Sequence, residues 1–270
     1  MRYAFMCTLM LAANPIDDFM QPGGRARVIA HRGFSGIAPE NTMAAFRKAI
    51  DAGADMFELD VLLSKDGRVV VIHDDTLERT TNGEGPVSAR TLEELRSLDA
   101  GSWFNPAFAG ESIPTLEETL ELAQDRILVN IEIKSEAVTD ETQGGIVDKT
   151  LELVRRLEMM DQIVISSFDP RALAHARALE PDVKTASLFN AELQEDLSPE
   201  EVMAEVSSNG FNLSRKQVQE SIIEACHRLG RPVAVYTVNE IPEMKRVLDL
   251  GADAIFTDYP DRLLVVLGTR

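Results

Sequence analysis

From Val28 to the C-terminus, short runs rich in β-branched residues alternate with segments carrying helix start and stop signals, and this alternation is what most narrows the fold. Nine runs read as strands: Val28–Ala30, Met56–Val61, Val69–Ile72, Leu128–Ile133, Ile163–Ser166, Lys184–Leu188, Gly210–Leu213, Val233–Thr237 and Ala254–Thr257. Between them, Asn41/Thr42 opens Met43–Ala52, which Gly53 closes. Thr115-Leu116-Glu117-Glu118 and Ser198-Pro199-Glu200-Glu201 read as capping boxes, and Asp169-Pro170 starts a helix running to Leu179. Further helices cover about Gly145–Leu157, Lys216–Leu229, Ile241–Leu250 and Asp261–Leu267. Such alternation indicates a parallel sheet built from βα units. Val61 and Val69 are joined by a short polar turn, Lys65-Asp66-Gly67, whereas parallel neighbours need a crossover of about a dozen residues. Val69–Ile72 is therefore expected to fold back as a hairpin arm. Eight strands remain, the number for an α/β chain closed into a (β/α)8 TIM barrel, a single domain over residues 28–270. Because the second helix begins near Thr115, Leu62–Pro114 becomes one long excursion after the second strand, and loops this long usually cover a site.

Composition removes several function classes. With 27 Lys+Arg against 45 Asp+Glu the net charge is −18, which argues against an extended nucleic-acid footprint and against docking on anionic membranes. A phosphate ligand would need a local positive site. No apolar run approaches the roughly 20 residues of a membrane-spanning helix, so no stable membrane insertion is expected. Cys7 and Cys226 are too few and too far apart for a disulfide framework or a zinc site, which favours a reducing, cytoplasmic setting. Residues 1–27 read as an N-terminal arm packed on the domain, or as a start placed too early, with Met20 the candidate true start. Export is the alternative if residues 1–13 act as a signal peptide. Against it stand the lone Arg2, the bulky Leu11 where cleavage wants a small residue, and Asp17 and Asp18 just beyond.

The candidate chemistry gathers at the carboxyl ends of the first strands, where barrel enzymes carry their sites. Glu58 and Asp60 share one face of the second strand, Glu132 and Lys134 one face of the next barrel strand, and His31-Arg32 directly follows the first. His73 ends the hairpin arm. Three converging carboxylates repel and are costly to desolvate unless a cation sits among them; a hard divalent ion is the natural partner. A buried salt-bridge cluster, with Arg32 and Lys134 balancing the acids, is the other arrangement these residues allow. His31 and His73 flank the cluster, and imidazole takes and gives a proton near neutral pH. His175 and His227 fall on helices and read as surface or packing residues. A metal, two imidazoles and two cations around one hole suit cleavage of a phosphate ester. There is no G-x-x-x-x-G-K-[ST] loop and no G-x-S-x-G elbow to support P-loop or acyl-transfer chemistry.

His31-Arg32-Gly33, Ala38-Pro39-Glu40-Asn41-Thr42, Glu58-Leu59-Asp60-Val61, Lys65-Asp66-Gly67, His73-Asp74, Arg79-Thr80-Thr81 and Ile131-Glu132-Ile133-Lys134 together closely resemble the glycerophosphodiester phosphodiesterase family of bacterial type. The resemblance continues through Ile113-Pro114-Thr115-Leu116, Ser167-Phe168, Tyr236-Thr237-Val238-Asn239 and Thr257-Asp258-Tyr259-Pro260. It implies hydrolysis of a small-molecule glycerophosphodiester, such as glycerophosphocholine or glycerophosphoethanolamine, to sn-glycerol 3-phosphate and an alcohol, in phospholipid-derived glycerol metabolism. His31 and His73 would be the acid/base pair. Glu58, Asp60 and Glu132 would hold one divalent cation, Mg²⁺ or Ca²⁺, and Arg32 and Lys134 would grip the phosphate. The family's cap corresponds to an insertion at about residues 74–114. Tyr236 stands where bacterial members commonly carry Trp, which bears on alcohol preference. Phe168 and Tyr236 are expected to line the substrate pocket or pack at the barrel mouth, and Asn41 and Asp258 either to orient the site or to cap helices. Trp103 and Phe104 are expected in the cap's own small core. The rival readings are a lysophospholipid or sphingomyelin-type phosphodiesterase on the same scaffold, and a catalytically silent binding barrel.

Overall fold

The computed structural model of the protein describes residues 14–139, 143–189, 201 and 208–269. The apolar stretch Tyr3–Ala13, with Cys7, and the helix start expected at Ser198-Pro199-Glu200 lie outside the described residues. A short helix, α1 (Pro15–Phe19), precedes β1 (Arg27–Ala30), α2 (Met43–Ala52), β2 (Met56–Leu63) and β3 (Val69–Val71). After the excursion, which carries α3 (Leu92–Arg96), come α4 (Leu116–Ala123), β4 (Leu128–Ile133), α5 (Ile146–Arg156), β5 (Ile163–Ser167), α6 (Pro170–Leu179) and β6 (Lys184–Phe189). The chain ends with β7 (Gly210–Ser214), α7 (Glu220–Arg228), β8 (Val233–Tyr236), α8 (Ile241–Asp249), β9 (Ala254–Thr257) and α9 (Pro260–Val266).

Strands β1, β2 and β4 to β9 are parallel neighbours, and β1 pairs with both β9 and β2, so the sheet closes into an eight-stranded TIM barrel. β3 pairs antiparallel with the far end of β2, Val61 opposite Val71, as the turn length requires. Local chemistry explains where the helices begin and stop. The Thr42 side chain accepts from the Ala45 N–H at the start of α2, and Gly53, at φ 83°, ends it in the left-handed region that favours glycine. Thr115 and Glu118 form the expected capping box on α4. A second box, Thr91 with Glu94, starts α3 inside the excursion, a helix the sequence pattern had not singled out. α7 is shorter than expected at its start, because residues 215–219 turn back onto β7 and β8 through Gln217 N–H to Ser214 and Arg215 N–H to Tyr236.

The strand period of two separates two cores. Outward residues such as Phe57, Leu59, Val61, Val129 and Ile131 are buried beneath the helices. Inward ones form a stack that changes in character along the barrel. At the amino-terminal end it is apolar: Ile29, Met56, Val164, Ala186, Ala234 and Ala254 meet Ile16, Phe19 and Met20 from α1 and its end, which close the barrel floor. Higher up come Asn130, hydrogen-bonded to Ser166 at 2.8 Å, and Asn212, and above them the charged groups of the mouth. The excursion has its own aliphatic core of Leu62, Val70, Ile72, Leu77, Val87, Leu95, Ala100 and Ile113. Trp103 and Phe104, expected in that core, stand outside it: Trp103 is 40% exposed and packs edge-on against Phe104, which meets Phe108 in the same way. The cause is the tight fold of residues 99–111, where the Asp99 carboxylate accepts from the N–H groups of Gly101, Ser102 and Gly110, turning the aromatic side chains onto one another. Among the described residues, no helix is long and apolar enough to cross a membrane.

The floor plug is testable on its own. Ile16 is 1% exposed, so Ile16→Ala should destabilise the protein by about 2–4 kcal/mol, the range for an emptied core site, read as a shift of the urea midpoint at unchanged slope. An unchanged midpoint would mean that α1 contributes nothing to the barrel floor.

Candidate active site

Strand register brings the acids together. Side chains of Glu58 and Asp60 on β2, and of Asn130 and Glu132 on β4, point into the barrel, with Glu58 directly beside Asn130 and Asp60 directly beside Glu132. Carboxylate oxygens of Glu58, Asp60 and Glu132 all lie within 4.8 Å of one another. Glu58 and Asp60 are almost fully buried. Burial, followed by the charges of Asp60 and Glu132, pushes the Glu58 carboxyl well above the ordinary carboxylate range, with Arg32 opposing. Burial acts the same way on Asp60 but is outweighed by Arg32, Lys134, His73 and a hydrogen bond from Asn41, which together hold it below that range. Lys134 Nζ donates to Glu132 Oε1 at 2.8 Å and lies 3.4 Å from Asp60 Oδ1. Two basic side chains thus face three acids, so the salt-bridge arrangement is only partly balanced. Glu58 Oε1 and Asp60 Oδ1 are buried and accept no hydrogen bond, which fits oxygens able to ligate a cation. Three carboxylates without thiol or imidazole in the set match a hard divalent ion such as Mg²⁺ or Ca²⁺.

The turn after β1 is built around this cluster. Arg32 and Asn41 have φ of 54° and 55°, a conformation that non-glycine residues adopt only when their surroundings hold them there. Arg32 is held by its own N–H, which donates to Glu58 Oε2 at 2.8 Å, and by its guanidinium, which donates to Glu40 Oε1 at 2.7 Å and lies 3.4 Å from Asp60. Gly33 follows at φ 80°, where a Cβ would meet the Ala45 backbone at 2.7 Å. Asn41 Nδ2 donates to Asp60 Oδ2 at 2.8 Å, and the Asp60 N–H returns a bond of 3.3 Å to Asn41 Oδ1. Thr42, not Asn41, caps the helix, and the Asn41 side chain bonds the acidic cluster instead.

Each histidine of the mouth has a carboxylate on Nδ1. His31 Nδ1 is 2.7 Å from Asp258 Oδ1, and Asp258 is itself fixed by Asn239 Nδ2 at 2.6 Å and Ser35 Oγ at 3.0 Å. Burial would raise the Asp258 carboxyl, but His31, Asn239 and Ser35 together hold it below the usual range. His73 Nδ1 is 2.6 Å from Asp74 Oδ1, and Lys134 Nζ lies 3.2 Å from His73 Nε2. These contacts match Nδ1–H tautomers, with Nε2 of His73 accepting from Lys134. His175 and His227 pair instead with Asp148 and Asp253, remote from the mouth.

His31, Arg32, Glu58, His73, Glu132, Lys134, Phe168 and Tyr236 line one cavity of about 170 Å³, and the Asp60 carboxylate lies within 4.8 Å of those of Glu58 and Glu132. All nine candidates from the sequence therefore lie together. One wall is charged; the other consists of Phe168, Tyr236, Phe256 and Leu188. The Tyr236 hydroxyl donates to the Phe189 carbonyl at 2.6 Å and its ring meets Phe168 edge-on, so this side chain is fixed on both sides. Burial, with the Glu132 charge second, pushes the Tyr236 hydroxyl well above its ordinary range. Thr237 and Asn239 stand out in the sequence only as members of a motif, and Phe256, Leu188 and Ser35 not at all; for Phe256 and Leu188 the available signal is their inward parity near strand ends.

A family model described as "Glycerophosphoryl diester phosphodiesterase family" matches residues 31–262. A "Glycerophosphodiester phosphodiesterase" of Caldanaerobacter subterraneus subsp. tengcongensis is 42% identical over 88% of this chain and 96% of its own length. One from Bacillus subtilis is 32% identical over 96% and 91%. Among solved structures, a phosphodiesterase from Oleispira antarctica, in complex with the product sn-glycerol-3-phosphate, superposes with TM-score 0.82 at 31% identity, covering 93% of this chain and 98% of the other. A glycerophosphodiester phosphodiesterase from Agrobacterium tumefaciens gives 0.76 at 33%, covering 89% and 99%.

Without a cation, ionising Glu58 opposes folding. Its folded carboxyl is held above the unfolded value of about 4.3, so stability should fall as pH rises through and above that value. Chelated protein should therefore melt lower as pH rises above about 4.3, and Mg²⁺ or Ca²⁺ should raise the melting temperature, by about 2.7 kcal/mol of stabilisation at one hundred times Kd. Glu58→Gln should abolish most of the pH difference and weaken the cation response. Thermal melts that are insensitive to both ions would contradict a cation site here.

Proposed function

The chain belongs to the glycerophosphoryl diester phosphodiesterase family, and on that premise we propose that it hydrolyses glycerophosphodiesters such as glycerophosphocholine and glycerophosphoethanolamine in a cation-dependent reaction, releasing sn-glycerol 3-phosphate and the alcohol. The observation that carries this reading is a single cavity with two carboxylate-oriented histidines, two cations and buried acids lacking donors. Its volume of about 170 Å³ is below the roughly 300 Å³ where drug-sized pockets begin, which suits a phosphorylated three-carbon unit better than an acyl chain.

Arg32 and Lys134 bind the phosphoryl oxygens and neutralise the charge that develops there. A divalent cation held by Glu58, Asp60 and Glu132 would supply a Lewis acid that withdraws charge from the reacting phosphate. One histidine accepts the proton of the glycerol 2-hydroxyl through Nε2 as that oxygen attacks phosphorus, and the other gives a proton to the departing alcohol oxygen. The bond to the alcohol breaks and a 1,2-cyclic phosphate forms. In the second step the histidines exchange roles: a water loses its proton to one, attacks phosphorus, and the ring oxygen leaves with the proton of the other. Asp258 and Asp74 keep the two rings aligned throughout. The wall of Phe168, Tyr236 and Phe256 shelters the glycerol carbons and excludes water during the first step.

Purified, chelator-stripped protein offered glycerophosphocholine or glycerophosphoethanolamine should release glycerol 3-phosphate only after Mg²⁺ or Ca²⁺ is restored. His31→Asn and His73→Asn should each lower kcat by about 10²–10⁴-fold, the contribution of a positioned acid or base. Release of glycerol 3-phosphate at the wild-type rate in either variant would sink the acid/base assignment, and turnover of lysophosphatidylcholine alone would move the substrate to the lipid class.

A further inference from the structure

One residue of the insertion reaches the mouth and has no part in the reaction described above. Arg79 follows β3, and its guanidinium lies between two carboxylates from different parts of the chain. Toward the insertion it donates to Asp74, Nε to Oδ2 at 2.5 Å and Nη2 to Oδ1 at 3.0 Å. Toward the barrel it donates to Glu40, Nη1 to Oε2 at 2.8 Å and Nη2 to Oε1 at 2.8 Å. Each carboxylate is engaged on its other side with a group of the site: Asp74 with His73 Nδ1 at 2.6 Å, and Glu40 with Arg32 Nη1 at 2.7 Å.

We propose that Arg79 is a positioning residue for phosphodiester cleavage. Through Asp74 it fixes the ring of His73, and through Glu40 it fixes the guanidinium of Arg32, so one ion sets both the acid/base group and the phosphate grip. The inference rests on the roles assigned to His73 and Arg32 under Proposed function.

Three observations support it. Among the described residues, the Asp74 carboxylate is bonded by His73 and Arg79, so apart from the ring it orients, Arg79 is what fixes it. The Arg79 side chain is 43% exposed, and an ion pair so open to water adds little to stability; its effect lies in geometry. The arrangement needs a planar fork with donors on two edges, which lysine lacks. His31 provides an internal comparison, because its partner Asp258 is held by Asn239 and Ser35, with no contribution from Arg79.

The test combines steady-state kinetics on glycerophosphocholine with NMR of protein carrying ¹⁵N-labelled histidine, for wild type, Arg79→Ala, Arg79→Lys, Asp74→Asn, Glu40→Gln and His73→Asn. Arg79→Ala should lower kcat by about 10–100-fold, the usual effect of removing a partner that orients a reacting group, and raise KM as Arg32 loosens. Arg79→Lys should restore little of either. Asp74→Asn should act chiefly on kcat and Glu40→Gln chiefly on KM. Arg79→Ala added to Asp74→Asn should lower kcat no further, because the two act through one ring. The His73 Nδ1–H signal should be lost or displaced in Arg79→Ala while that of His31 stays in place. The proposal is overturned by an unchanged kcat in Arg79→Ala, by losses that multiply in the double variant, or by equal disturbance of both histidine signals, which would mark a general loosening. His73→Asn separates the two levels: if it keeps wild-type kcat the acid/base assignment has failed, whereas its inactivity beside a fully active Arg79→Ala defeats this proposal alone.

Discussion

The register of β2 against β4 puts Asp60 beside Glu132, with Glu58 one step deeper, and the rest of the mouth answers that concentration of charge. In a region shielded from water, like charges directly opposite on neighbouring strands oppose folding. The chain offsets this with groups drawn from several loops: Arg32 from the turn after β1, Asn41 from the loop before α2, and Lys134 from the end of β4. Even so, Glu58 Oε1 and Asp60 Oδ1 have no donor. Two residues outside the glycine-favoured rule, Arg32 and Asn41, adopt left-handed backbone to bring their side chains onto the same acids. Strain, repulsion and unsatisfied oxygens thus coincide at one place, which is where a structure built for stability alone would not concentrate them.

The site is also divided by function in space. Charged groups line one side of the cavity and an aromatic and aliphatic wall the other, an arrangement that fits a ligand with an anionic head and a short carbon body. The histidines are oriented from opposite directions: His31 by Asp258 at the end of the last strand, His73 by Asp74 at the start of the insertion. Closing the barrel brings the first and last strands together, so residues 227 positions apart in sequence form one hydrogen-bonded pair. The insertion is anchored on its own aliphatic core and presents Asp74 and Arg79 to the mouth, so it contributes to the site as well as adjoining it.

Much of this was legible in the residues. The β-branched runs and the caps at Thr42, Gly53, Thr115 and Asp169 located the strands and helices closely, because these signals are local. The hairpin followed from turn length alone. The carboxylates and Lys134 could be grouped because strand parity and barrel topology convert sequence spacing into direction. What escaped notice depends on side chains meeting across the fold. Glu40, Asp74 and Arg79 lay inside recognised motifs, yet their mutual bonds span up to 39 positions and leave no periodic trace. The roles of Asn41 and Asp258 depend on geometry: each bonds a site residue, while Thr42 caps α2 and Tyr259 takes the N-cap position of α9. Aromatic character argues for burial of Trp103 and Phe104 on average, but the Asp99-centred turn holds them outside the core.

The proposed reaction needs the three carboxylates to form a cation site serving a phosphate held by Arg32 and Lys134. Diffraction from crystals soaked with Mn²⁺ and sn-glycerol 3-phosphate, recorded at the manganese edge, tests it most directly. An anomalous peak is expected among Glu58, Asp60 and Glu132, with the phosphate against Arg32 and Lys134. Bound product with no anomalous density there, the acids being bridged by Arg32 and Lys134 alone, would contradict it.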